Sequence, residues 1–295
     1  MDSSPNGTFQ LRRQRRERIG MILVGILFLA TIFGIIVLAT LLVDVVLTAV
    51  PWLDGQFLGN LPSRFPEEAG IRSALFGTLW LMGLTALISV PLGVASALYL
   101  EEYAEKGWFL RLIQINIANL AGVPSVVYGI LGLALFVRFA ALGNSLLSGA
   151  LTLSLLILPI IIISSQEALR GIPSGLRESA YALGATRWQV IRSHVLPMAA
   201  PGIFTGVILA LSRAIGETAP LILVGALTFV PFVPRSAMDQ FTALPIQIFD
   251  WARRPQDEFV GLAAAAIVVL MVLLFTMNLT AILLRDYFEG RRPGP

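Results

Sequence analysis

The chain reads as an all-α polytopic membrane protein with six transmembrane helices, and three observations carry that reading. Hydrophobic residues make up 56% of the 295 and charged residues only 13%, against roughly 45–50% and 25% in soluble domains. The charges are clustered, leaving runs long enough to cross ~30 Å of hydrocarbon. The basic residues also sort by side. With both termini inside, fourteen Lys and Arg fall in cytoplasmic segments and six in outer loops, the bias expected of an inner-membrane protein with an even number of crossings.

The elements follow in order. Residues 1–18 form a basic cytoplasmic tail carrying Arg12, Arg13, Arg15, Arg16 and Arg18. The run 19–43 behind it exceeds a signal-peptide h-region of about 7–15 residues and reads as a retained anchor. The second run is 73–100, the third 112–137 and the fourth 139–166, with Gly143-Asn144-Ser145 as turn chemistry between the last two. Only Arg213 and Glu217 interrupt the fifth, 195–233; a helix over 198–224 places Arg213 slightly past its centre. The sixth, 259–284, is Ala-rich and then Leu-rich, as suits a packed helix. Residues 19–290 thus form one transmembrane domain.

Several function classes drop out. The only lysine is Lys106, preceded by Ala104-Glu105, so no Gly-x4-Gly-Lys-Ser/Thr phosphate loop exists and the chain is not its own ATPase. One histidine and no cysteine exclude a His/Cys zinc or iron–sulfur site within the chain; no metal or cofactor is expected. No nucleophile–base–orienter set is visible. The net charge of +3 follows from orientation in membrane lipid, and no nucleic-acid partner is expected.

Between the fourth and fifth runs stands Glu178-Ser179-Ala180, then Gly184, then nine residues, then His194-Val195-Leu196-Pro197. This resembles the cytoplasmic docking loop of bacterial ABC importer permeases: Glu-Ala-Ala, three residues, Gly, nine residues, Ile-x-Leu-Pro. Ser179 and His194 depart from it while the spacing is kept. Locally, Ser174 is a plausible N-cap for a helix through Leu183, with Leu176, Ala180 and Leu183 on one face. Thr186 and Gln189 form a capping box opening a second helix, on which Trp188, Ile191 and Val195 share a face. Pro197 marks the start of the next membrane helix. The resemblance implies a type I ABC importer permease fold, with residues 167–197 docking on a separate ATP-binding subunit through Glu178, Ala180, Gly184, Leu196 and Pro197. An amphipathic helix pair lying on lipid headgroups is the alternative.

Then comes Leu211-Ser212-Arg213-Ala214-Ile215-Gly216-Glu217-Thr218-Ala219-Pro220. An arginine inside a membrane helix costs about 2.5–3.5 kcal/mol on insertion scales and marks a polar pathway by default. Glu217, one turn on, partly neutralises it. The alternative is a helix ending near Ser212 with both charges at the interface.

Arg-Ala-x-Gly-Glu resembles the equivalent helix of permeases for tetrahedral oxyanions, and Thr218-Ala219-Pro220 is similar to the PstA-type subunits of phosphate importers. The stretches Ala121-Gly122-Val123-Pro124-Ser125-Val126-Val127-Tyr128-Gly129 and Phe241-Thr242-Ala243-Leu244-Pro245-Ile246-Gln247-Ile248 support that likeness, which covers about residues 71–285. It implies half of an ATP-driven phosphate pathway, with Arg213, Glu217, Thr218 and Ser125 lining it and no catalysis in the chain itself. It also implies a second homologous permease of PstC type, an ATP-binding subunit of PstB type and an extracytoplasmic phosphate-binding protein of PstS type. A sulfate or molybdate permease, or a membrane component of phosphate signalling, are the alternatives. Asn116 and Asn119 are further lining candidates, Pro91 and Pro159 are kinks or hinges, and His194 and Asp44 are boundary residues.

Overall fold

The computed structural model describes residues 5–289. Twelve α-helices occur among them: α1 (Pro5–Ala49), α2 (Gly55–Gly59), α3 (Arg72–Leu98), α4 (Trp108–Ala121), α5 (Ser125–Gly132), α6 (Leu146–Arg170), α7 (Ser174–Ala182), α8 (Arg187–Val190), α9 (Leu196–Ile215), α10 (Ala219–Val224), α11 (Leu244–Trp251) and α12 (Asp257–Glu289). The side chains of the basic tail, and Arg291 and Arg292, lie outside the described residues.

Among the described residues, five helical stretches are long and apolar enough to cross a membrane: Gly20–Trp52, Arg72–Tyr103, Leu146–Arg170, Arg187–Ile215 and Asp257–Leu283. The sixth is a broken pair, Trp108–Ala121 and Ser125–Phe139, bent by 102°. The continuous third run expected from sequence is therefore corrected. Gly122-Val123-Pro124 stops α4, because Pro124 has extended ψ (139°) and disfavours helix in the residue before it.

Helix α6 is the hub. In its most apolar window 67% is buried, against 0% for the first span. Small and hydroxyl side chains let its neighbours approach closely, as in membrane bundles generally. Ser154 Oγ donates to Ala150 O at 2.7 Å on its own helix, while Thr85 Oγ1 of α3 reaches Ala150 O at 3.5 Å. On the α9 side, Gly202 and Gly206 lie directly against Ala168 and Ser164. Helix α1 touches the bundle mainly at its C-terminal end, where Ala49 is buried with Phe259 and Leu262 of α12.

The loop between α10 and α12 is built into the bundle. Phe241, Thr242, Ala243 and Leu244 are each at most 1% exposed. Leu244 N donates to Thr78 Oγ1 of α3 at 2.9 Å, and Leu146 N and Leu147 N donate to Asp239 O and Ala237 O at 3.0 and 2.8 Å. Trp251 of α11 is enclosed between Phe57 and Phe259, with ring centroids 6.1 and 6.3 Å away. A hydrophobic plug thus closes the end of the bundle opposite the docking loop.

Candidate functional site: two broken spans and a docking loop

The fifth span also breaks. Helix α9 ends at Ile215, with Gly216 as its C-cap, so Arg213 stands in the last turn rather than slightly past the centre of a helix over 198–224. The cause is Pro220: it supplies no amide hydrogen, and its ring would clash with the carbonyl four residues back, at Gly216. The chain turns through Glu217 and Thr218 and restarts as α10, which Gly225 closes in the left-handed region (φ 95°). That conformation suits glycine, which lacks a Cβ.

The two breaks lie together. Helix α5 packs on α10 so closely that a Cβ on Gly129 would fall 2.7 Å from Pro220 Cα and 2.8 Å from Leu223 Cδ1. Ser125, first residue of α5, is one turn before Gly129 on the same face. The Tyr128 hydroxyl donates to Leu120 O at 2.8 Å, stapling α5 back to the end of α4. Arg213, Glu217 and Thr218 thus stand at the break between α9 and α10, and Ser125 opens the half-helix that packs against α10. Tyr128 joins them without having been singled out; a hydroxyl inside an apolar run, just past a proline, was the available signal.

The ion pair at this junction is loose. Arg213 Nε is 3.5 Å from Glu217 Oε1, with side-chain exposures of 47% and 17%. At 3.5 Å the contact is longer than an ordinary charge-assisted hydrogen bond, so Glu217 does not saturate the five donors of the guanidinium. Among the described residues Arg213 makes no other ion pair. Its planar fork of donors matches a tetrahedral oxyanion, and the carboxylate beside it keeps the local charge near zero, which favours release.

The loop between α6 and α9 follows its sequence signals with four corrections. The N-cap of α7 is Pro173 rather than Ser174, and α7 ends at Ala182, before the φ 84° of Gly184. The Thr186–Gln189 capping box is present. Helix α8, however, continues through a π-helical turn, Ile191–Val195, into α9, so Pro197 lies within one continuous helical stretch and does not begin a separate one. The expected apolar faces also divide. Ala180, Val190, Ile191 and Val195 are buried, while Leu183 is 89% and Trp188 56% exposed. Glu178, Gly184 and His194 are exposed, and Leu196 is half-buried. The knob therefore presents an uncovered apolar tip beside polar residues, the composition of a protein contact surface.

Of the smaller candidates, Asn116 is exposed and donates to Leu112 O of its own helix at 2.8 Å, and Asn119 is exposed. Pro91 and Pro159 sit inside α3 and α6.

A model of the family described as "Binding-protein-dependent transport system inner membrane component" matches residues 89–291. Among curated proteins, the chain is 34% identical to phosphate transport system permease protein PstA 1 of Mycobacterium tuberculosis, over 83% of this chain and 78% of that one. It is 31% identical to the probable ABC transporter permease protein YqgI of Bacillus subtilis, covering 79% and 84%. Against PstA of Haemophilus influenzae identity is 28%, over 96% and 98%. In fold it resembles a chain of a bacterial alginate ABC transporter, with a TM-score of 0.65 at 18% identity over 90% and 94% of the two chains, and one of the MetNI methionine ABC transporter, 0.59 at 18% over 74% and 94%. The chain belongs to the family of inner-membrane components of binding-protein-dependent transport systems and is a multi-pass protein of that membrane.

Proposed function

We propose that this chain is the PstA-type permease subunit of a phosphate importer, forming half of a pathway driven by ATP hydrolysis on a separate subunit. The observation that carries the reading is the likeness to permeases named for phosphate transport along most of the chain, at 34% identity over 83% of it. Its working parts are the docking loop 167–197 within a permease core of about residues 71–285, itself inside a transmembrane domain of 19–290 behind the tail 1–18. Both termini face the cytoplasm, in keeping with the basic residues of the docking loop gathering at one end of the bundle.

Mechanistically, the phosphate-binding protein of PstS type delivers the anion to the outer face. A second permease of PstC type completes the pathway, and a PstB-type ATPase grips the knob through Glu178, Gly184 and the exposed tip around them. Ala180 and Leu196 support that tip from behind, with Pro197 just inside the following helix. At the junction of the two broken spans, Arg213 takes the phosphate oxygens while Ser125 and Thr218 offer hydroxyls. Glu217 holds the site near neutrality so that the anion leaves again. The chain performs no bond chemistry.

The test is uptake of radiolabelled phosphate in cells lacking only this chain, with and without re-expression, against excess unlabelled sulfate, molybdate or arsenate. Loss of uptake, restored by the intact chain and competed by arsenate alone, supports the reading. Intact phosphate uptake with loss of sulfate or molybdate uptake overturns the substrate. Normal uptake with lost phosphate-dependent gene control would make the chain a signalling component.

A further inference from the structure

Three consecutive residues at the cytoplasmic end of α3 each hold a different part of the docking loop. After Leu98 the helix passes into a π-helical turn, Tyr99–Tyr103. Such a turn inserts an extra residue and re-aims the side chains that follow, a device frequent at functional sites. Glu101 Oε1 accepts from Arg170 Nη2 at 2.5 Å and from Gln166 Nε2 at 2.8 Å, which fixes the end of α6 where the loop leaves the membrane. Glu102 Oε1 accepts from Arg177 Nε and Nη2 at 3.2 and 2.8 Å, which fixes the first docking helix. The Tyr103 ring lies 5.5 Å below the Arg187 guanidinium, which fixes the second.

The middle contact is the strongest. The Glu102 and Arg177 side chains are only 7% and 20% exposed. Arg177 also donates to Leu169 O at 2.9 Å and Ile172 O at 2.8 Å, carbonyls at the C-terminal end of α6, where backbone acceptors outnumber helical donors. One guanidinium thus ties together α3, the end of α6 and α7. Nothing in the docking motif calls for Arg177 or Glu102, yet these side chains join α7 to the turn that ends α3.

We propose that Glu102 and Arg177 are positioning residues for coupling: a latch, assisted by Glu101–Arg170 and Tyr103–Arg187, that makes the docking loop and the second membrane span move as one body. The proposal rests on the docking role of the loop argued above. Without the latch the ATPase still engages the knob and hydrolyses ATP, but the membrane helices follow its closure incompletely, so the fault appears as transport lost per ATP.

The test uses the full complex of both permeases, the ATPase and the binding protein in proteoliposomes, reading ATP hydrolysis and phosphate uptake side by side. Glu102→Gln keeps the shape and one acceptor oxygen, and Arg177→Gln keeps a donor. Each is expected to retain hydrolysis while uptake per ATP falls at least about fivefold, the lower end of ordinary site-to-site coupling. Because the chain has no cysteine, the double variant Glu102→Cys/Arg177→Cys carries a unique pair, which a short bis-methanethiosulfonate reagent can bridge. Bridging is expected to restore uptake per ATP, and reduction to abolish it again. Unchanged uptake per ATP in both Gln variants overturns the latch. So does loss of assembly that the bridge does not repair, since the carboxylate would then serve folding alone. A separate arm carries Leu183→Cys in the otherwise unaltered chain; its failure to cross-link to the ATPase subunit would overturn the docking reading itself.

Discussion

If the two broken spans are held together by the contact between α5 and α10, adding one methyl group at Gly129 should damage transport more than stability. In Gly129→Ala the new Cβ would lie 2.7 Å from Pro220 Cα and 2.8 and 3.1 Å from Leu223 Cδ1 and Cβ. Ordinary carbon–carbon contact is about 3.5–4.0 Å, so roughly 0.8–1.3 Å must be found. Leu223 Cδ1 can rotate away; Pro220 Cα cannot, being backbone in the first turn of a helix of six residues tied down by Ala226 N on Leu221 O at 3.0 Å. The half-helices must therefore part. Overpacking of this kind costs about 1–3 kcal/mol, offset by roughly 0.5–1 kcal/mol from replacing a helical glycine with alanine, so the complex should still fold. The parting acts on the half-helix that begins at Ser125 and on the one that follows Glu217 and Thr218. With tenfold for each ~1.4 kcal/mol, a net cost of up to about 2.5 kcal/mol corresponds to a fall in phosphate uptake of up to about 60-fold, while the thermal midpoint moves only a few degrees. Gly83→Ala is the control, since a Cβ there meets nothing within 4 Å. Initial-rate uptake beside thermal unfolding of the purified complex decides the matter: if Gly129→Ala transports like Gly83→Ala, the contact is not the keystone described.

Three further outcomes are expected. Gly77→Ala would place a Cβ 2.1 Å from the Thr242 carbonyl oxygen, so the outer plug must move and the Leu244 N–Thr78 Oγ1 bond must break; the midpoint should fall by about 2–4 °C per kcal/mol lost, and an unchanged midpoint would contradict the packing of that loop. Asp239 accepts from the backbone amides of Arg235 and Ser236 at 2.8 and 2.9 Å, which hold its carboxyl below its ordinary value of 3.8. A carboxylate depressed on folding stabilises its turn fully above the unfolded value, and that contribution is lost as pH falls through the folded one. A fluorophore on Ala237→Cys should therefore report loosening centred below pH 3.8, and Asp239→Asn should remove the transition; a midpoint above 3.8 would refute the assignment. Leu183→Asp, at a side chain 89% exposed, should leave the thermal midpoint of the isolated chain unchanged and stop the ATPase subunit from co-purifying; retained co-purification would move the docking surface elsewhere.

The membrane spans were legible because hydrocarbon imposes a length and forbids charge, and both requirements can be read one residue at a time. The docking loop was legible because its caps are local: Thr186 finds Gln189 three residues on, and Gly184 ends a helix by its own φ. The two breaks were less so. Pro124 and Pro220 stand in apolar surroundings like Pro91 and Pro159, which merely sit inside continuous helices. What differs is the glycine upstream, Gly122 or Gly216, and the neighbour that accepts the bend. The same limit hid Glu102 and Arg177. They are 75 residues apart, and only the packing of α3 on α6 makes them partners. The exposure of Leu183 and Trp188 also defied the pattern, since helical periodicity identifies an apolar face without saying whether this chain or another covers it.

The central claim is that an oxyanion passes the junction of the two broken spans on the Arg213 guanidinium, and it is tested most directly by phosphate uptake into proteoliposomes holding the complete transporter with Arg213→Ala or Arg213→Lys, normalised to ATP hydrolysis. A charge without the planar fork should serve partly and no charge hardly at all, so Lys is expected to retain an intermediate rate and Ala to lose at least about tenfold, the loss of one charge-assisted hydrogen bond of ~1.5–3 kcal/mol. Uptake at the unaltered rate in both variants would contradict it.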